Sequence, residues 1–386
     1  HRLRPAEVGP RHALPQGDLM FRRVVSAAVL AASLIVAAPS MAQAPAAKPP
    51  SFSYDLNWMK VPAQYVVGDI SAVAVDSHDN VWVLHRPRTL PADQRAKAAP
   101  PVMEFDRTGK FIRAWGGPGE PFEWPTNEHS LFVDAQDRVW IAGSDRTAGK
   151  GDDMVLAFTA AGKFIRQIGR RGANGGDQDV ANVYAPADLY VDTPRHELYV
   201  ADGYGNRRLI VFDTETGAFK RMWGAFGGTP PFTPKDPPPP TTRQPGDPDQ
   251  EGEGSVEFSS VHGVELSKDG LVYVSDRDSQ RVQVFDREGV YQGQVFIDRQ
   301  AQSRQTASGL ALSSDPGQRW LYVADWGNHD IVVVDRKALT VAGTFGSRGT
   351  QPGQFIGPHL MATDSKGVLY VAEVQGRRLQ RLTPKP

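Results

Sequence analysis

Three histidines, His129, His262 and His359, stand at the same place in three copies of a repeating pattern. Each lies five residues before the polar residue that closes an apolar run, namely Asp134, Ser267 and Asp364. Counting back the same distance from Asp76, Asp192 and Ser313 gives Ser71, Ala187 and Ser308. Histidine thus alternates with a small residue through six copies. Imidazoles converging from alternate members of a ring make a His₃ site, the ligand set of a zinc with an open position for water or substrate. The small residues between them leave room for the ion and for what it binds. Taken singly, each histidine would read as a buried ring that had found a hydrogen bond. Histidine supplies only 9 of 386 residues, so three in one column by chance comes to about 10⁻³ even after allowing for tens of columns. Zinc suits three imidazoles best, while iron, copper and cobalt accept the same ligands.

The column has meaning only if the copies form a ring, and the repeat supplies one. An alternating run ending in Asp or Ser is followed by a tight turn, a run such as "LYVAD", a loop, "VxxFD" and a Gly turn. The copies begin at "SAVAVDSHDNVWVLHR", "HSLFVDAQDRVWIAGSD", "ADLYVDTPRHELYVADGYGNRRLIVFD", "HGVELSKDGLVYVSDRDSQRVQVFD", "SGLALSSDPGQRWLYVADWGNHDIVVVD" and "HLMATDSKGVLYVAEVQGRRLQRL". Period-2 alternation with β-branched and aromatic residues predicts strands, and no helical period intrudes. Six such units predict an all-β, six-bladed β-propeller over residues 52–386. The last copy lacks a fourth strand, so the orphan strand in "SFSYDLNWMKV" is expected to complete it and close the ring.

In this architecture the loop after a blade's second strand emerges beside the start of its first. That places Arg86, Tyr204 and Arg277 at the rim of the histidine column. Arginine there can hold a carboxylate in two-point contact, and a tyrosine beside a cation can serve as a base. Arg88 and Arg146 read as surface charges, and the acidic column Asp202, Asp276, Asp325 and Glu373 as a structural feature of the repeat. His78 and His196 fall in turns on the opposite face. His85 and His329 read as solvated loop residues. Two insertions border the rim: "RPRTLPADQRAKAAPP" in blade one, and a Pro-rich segment at about residues 227–254 that is expected to be disordered.

Residues 20–42 have the charged start, apolar run and small-residue cleavage site of a signal peptide. Residues 1–19 read as upstream sequence and 43–51 as a flexible leader. The mature chain is therefore expected to be secreted or periplasmic. It has no cysteine and a net charge of -1, which gives no reason to expect thiol chemistry, nucleic acid or an anionic membrane. No other apolar run would span a bilayer, and a monomer is expected.

Segments such as "ADGYGNRRLIVFD" and "VSDRDSQRVQVFD" resemble NHL repeats. Together with "VLHR", "EHSLFVD", "VHGVELS" and "GPHLMATD", they make nearly the whole mature chain resemble the peptidyl-α-hydroxyglycine α-amidating lyase (peptidylamidoglycolate lyase) family. The resemblance implies a six-bladed propeller with zinc on His129, His262 and His359, functional arginines at Arg86 and Arg277, and an active-site tyrosine at Tyr204. It implies cleavage of a peptidyl-α-hydroxyglycine to an amide and glyoxylate, by zinc-dependent carbon–nitrogen lyase chemistry. The substrate would be a peptide or a small carboxylate-bearing molecule. Gly357 stands where that family has methionine. Leu360 stands where it has the aspartate of a structural calcium (Ca2+) site, so the residues do not support calcium there. Two other readings stay open: a non-catalytic propeller binding a protein or peptide partner on its channel face, and a lactonase-type hydrolase, which the histidines disfavour.

Overall fold

The computed structural model describes residues 48–231, 240–244 and 246–386. The segments read as upstream sequence and signal peptide lie outside the described residues, as does most of the leader. The described chain is all-β: six four-stranded antiparallel sheets with short 3₁₀ turns and no α-helix. The first strands, Asp69–Val75, Glu128–Val133, Asp188–Asp192, Val261–Leu266, Leu310–Leu312 and Pro358–Thr363, touch one another in cyclic order, the last meeting the first. Phe52–Asp55 pairs with Arg378–Pro384 and so supplies the outer strand of blade six. No helix among the described residues is long and apolar enough to cross a membrane.

Middle strands such as Arg138–Gly143 and Glu197–Asp202 are buried along their whole length because each blade buries both faces. Between blades two and three, for example, Trp140, Val155 and Ile168 pack against Leu198, Ile210 and Phe212. The aspartate that closes the first strand locks the turn behind it. Asp76 accepts from the His78 and Asn80 amides, both at 2.9 Å, and from the Trp82 indole at 3.0 Å. Asp134 does the same for Arg138 and Trp140. A short polar side chain that satisfies its own turn explains Asp or Ser here in five blades, whereas Asp192 of blade three binds Arg287 at 2.9 Å instead.

The acidic column at the end of the second strand is structural in three blades. Asp202 pairs with Arg208 at 2.9 Å, Asp276 with Arg281 at 3.0 Å and Glu373 with Arg378 at 2.7 Å. Arg208 and Asp202 are fully buried, and Arg208 also donates to the carbonyls of Asp177, Asp179 and Asn182. An Arg208→Ala variant leaves the buried Asp202 carboxylate without its counter-charge and takes the guanidinium donor from three carbonyls. We expect it to cost about 3–5 kcal/mol in a urea-unfolding midpoint experiment.

Two expectations need correction. His85 is not a loop residue: it is fully buried at the end of the strand Val81–Arg86. Its Nδ1 accepts from the Gly68 amide at 3.1 Å, and its Nε2 lies 3.1 Å from the Pro100 carbonyl, because the blade-one insertion folds back over it. The described part of the Pro-rich segment is tied down rather than structureless. Asp249 is 2% exposed and accepts from Arg304 Nη2 at 2.7 Å.

Candidate metal centre

His129, His262 and His359 meet on the axis. Their ring centroids are 5.3, 4.7 and 5.0 Å apart, and their ligand nitrogens all lie within 4.8 Å of one another. The backbone aims them there. In blades one, two, four and six the pairing of first and second strands shifts register at Ser71, His129, His262 and His359–Leu360. A bulge of this kind re-aims a side chain that would otherwise follow the pleat.

The small residues of the column do more than leave room. His129 Nδ1 lies 2.7 Å from the Ala187 carbonyl, and His359 Nδ1 lies 2.6 Å from the Ser71 carbonyl. Blades two and six thus anchor their imidazoles on the matching residue of the next blade. His262 Nδ1 faces Ser308 in the same way. It is left without a well-formed hydrogen bond, and the Ser308 carbonyl accepts from Ser275 Oγ at 2.6 Å. A carbonyl acceptor places the proton on Nδ1 and turns the Nε2 lone pair to the axis, as a metal-bound histidine requires. His85, bonded the opposite way round, cannot serve.

All three rings are held neutral. Burial pushes His359 down to about 3, with Arg86 and Arg277 adding to the effect against the Ser71 carbonyl. Burial drives His129 and His262 well below the usual histidine value; His359 and Arg86 reinforce it for the first, Arg277 and His359 for the second. Neutral imidazoles are ligands ready to bind.

Tyr204 Oη sits 2.9 Å from His129 Nε2 and 3.0 Å from His262 Nε2. One phenolic proton can serve only one of two lone pairs. If His262 instead carries its proton on Nε2, its Nδ1 becomes a buried acceptor without a donor. Either arrangement leaves a polar atom unsatisfied, and a cation among the three rings removes the conflict. The donor set therefore fits zinc.

Around this centre lies a cavity of about 270 Å³ that Arg86, Tyr204 and Arg277 all line. Arg277 Nε and Nη2 bind the Asp278 carboxylate at 2.9 and 3.3 Å, which turns Nη1 onto Tyr204 Oη at 3.3 Å. Arg86 spends its Nε on the Glu128 carbonyl at 2.7 Å. Arg146, read from the sequence as a surface charge, also lines the cavity and donates to the Tyr204 carbonyl at 3.0 Å. Arg88 binds Asn127 Oδ1 just outside it. Sequence reasoning missed Asn127, Ser144, Gln305, Trp326 and Val374 in the lining. His329 stays off the centre, half-buried, and accepts from the Gly357 amide at 3.0 Å.

Residues 258–285, in blade four, match the NHL repeat family. The chain is a six-bladed propeller that carries an NHL repeat. Over 87% of its length it is 27% identical to NHL repeat-containing protein 3 of Mus musculus, covering 85% of that protein. The Homo sapiens protein of the same name is 26% identical over 86% of this chain and 84% of its own. A probable peptidyl-alpha-hydroxyglycine alpha-amidating lyase of Caenorhabditis elegans is 22% identical, covering 81% of this chain and 82% of that protein. Among solved structures, a streptogramin B lyase superposes with a TM-score of 0.50 at 11% identity, over 86% of this chain and 98% of that one. At that identity the likeness concerns the fold alone.

Proposed function

We propose that the axial pocket is the active site of an exported, zinc-dependent carbon–nitrogen lyase. It would cleave α-hydroxy-N-acylglycines, peptidyl-α-hydroxyglycines among them, to an amide and glyoxylate. The observation that carries this reading is the pairing of three converging imidazoles with three arginines in a cavity that, among the described residues, no carboxylate lines. Such a lining suits a substrate that brings a carboxylate and an oxygen to the same ion. The resemblance to the worm lyase is in keeping with it.

Zinc held by His129, His262 and His359 would act as a Lewis acid toward the substrate hydroxyl. Arg86, with its outer nitrogens free of ion pairs, would hold the carboxylate in two-point contact. Tyr204 Oη would take the hydroxyl proton. Arg277, fixed by Asp278, donates to that oxygen and would stabilise its negative charge. The electron pair left on the hydroxyl oxygen becomes the carbonyl bond of glyoxylate as the carbon–nitrogen bond breaks. The departing nitrogen takes up a proton, which Tyr204 can return.

The test is to supply zinc-loaded protein with α-hydroxyhippurate and measure benzamide and glyoxylate. Equimolar products are expected; no glyoxylate above that formed with zinc salt alone would sink the reading. A Tyr204→Phe variant should keep its metal and its KM while kcat falls about 10²–10⁴-fold, the usual range for a lost general base.

A further inference from the structure

One residue per blade stands at or just past the end of the second strand: Arg86, Ser144, Gly203, Arg277, Trp326 and Val374. Five of the six line the axial cavity, and the exception has a reason. A Cβ on Gly203 would lie 1.9 Å from the Val261 carbonyl oxygen, so Tyr204 takes its place in the lining. The column divides into two arcs. Blades one to four present arginine, serine, tyrosine and arginine. Blades five and six present an indole and an isopropyl group.

Trp326 is set into this rim rather than resting on it. Its ring stands 5.8 Å from the His359 ring at 73°, close to perpendicular. It also occupies the space above Gly357, where a Cβ would lie 2.9 Å from Cζ3 and 3.0 Å from Cη2. Gly357 holds φ +66, a left-handed conformation that other residues adopt at a cost. The absence of a side chain at Gly357 is what admits the indole. Trp326 remains part-exposed and lines the cavity.

We propose that Trp326, backed by Val374, is the specificity wall of the pocket. The substrate carboxylate lies over the arginine arc of blades one and four, and an apolar, preferentially aromatic N-acyl group packs on the indole. This rests on the reading of the pocket as a substrate site. An anion alone would need no apolar arc. A flat indole edge gains most from an aromatic partner, through buried area and offset or edge-on ring contact. Discrimination by one apolar group of this size is typically tenfold or more.

The test measures binding apart from turnover. N-benzoylglycine and N-acetylglycine carry the carboxylate and acyl group but lack the hydroxyl, so they bind without reacting. Titrated calorimetrically into the zinc-loaded full chain, the benzoyl compound should bind at least about tenfold tighter. Trp326→Ala should erase that preference, moving the acetyl compound's affinity by less than about twofold, while Trp326→Phe retains most of it. Gly357→Ala, which pushes the indole aside, should weaken it from the opposite side of the contact. Equal binding of the two ligands to the unaltered chain overturns the wall. So does a preference that survives Trp326→Ala, or no binding of either ligand. A preference as described without glyoxylate release sinks the lyase and leaves the wall; glyoxylate release without the preference does the reverse.

Discussion

A His262→Ala variant is expected to lose the metal that the unaltered protein holds at one equivalent. His262 is fully buried, and its Nε2 is one of three imidazole nitrogens that meet at the axis among the described residues. With two imidazoles left, no carboxylate among the described residues lines the cavity to replace it. Loss of a residue that merely orients a ligand typically costs 10–100-fold in affinity, so loss of a ligand itself should exceed about 100-fold. Elemental analysis after gel filtration, with a competing chelator, measures this directly. The control is His85→Ala: that ring is equally buried but turns both nitrogens to backbone partners. It should weaken the fold and leave the metal content unchanged. Metal at full occupancy in His262→Ala would refute the site. Metal absent from both this variant and the parent would favour the non-catalytic alternative, a propeller presenting its channel face to a partner.

The histidine column could be read without a structure because a propeller repeats its geometry: equal offsets in the chain become equal heights on the axis. The residues that hold the rings could not. The link from His359 to Ser71 joins positions 288 apart, and only ring closure brings them together. The alternation of histidine with small residues was visible, but read as spare volume. In the structure Ala187 and Ser71 supply the carbonyls that set the tautomers of His129 and His359. Trp326 was missed because its partner, Gly357, lies in the next blade, and the contact depends on a positive φ that no pattern announces. Reading the column at the end of the second strand across all six copies would have exposed it. His85 was misplaced for a simpler reason. Its strand runs one residue further than its apolar alternation suggests, and the covering backbone at Pro100 comes from an insertion that looked like a free loop.

Blade five breaks the acid–arginine column, and this should make the protein less stable as pH rises from about 4 to about 8. Where blades three, four and six oppose Asp202, Asp276 and Glu373 with arginine, Asp325 faces Asp330 across the strand pair. Asp325 is fully buried, Asp330 Oδ1 is buried without a hydrogen bond, and Asp298 adds a third carboxylate nearby. Burial, followed by the charges of Asp330 and Asp298, lifts Asp325 to about 8; Asn328 opposes the rise. Burial and Asp298 lift Asp330 to about 6. Both groups have folded values above the ordinary 3.8, so the folded state holds their protons more tightly than the unfolded chain does. Their contribution is fully present below that ordinary value and is lost as pH climbs through about 6 and then about 8. Asp188 and Glu265 on the axis are raised in the same sense, so the parent's pH slope is not a clean measure of blade five. The difference between variants is. Asp330→Asn removes one charge and offers Asp325 a donor, and Asp330→Arg rebuilds the pair found in the other blades. Each should leave urea stability near pH 4.5 little changed and raise it near pH 8.5, on the order of 2–4 kcal/mol for the better of the two. A parallel displacement at both pH values would mean that packing, not charge, governs the position; an unchanged curve for both variants would mean that the facing carboxylates cost the fold nothing.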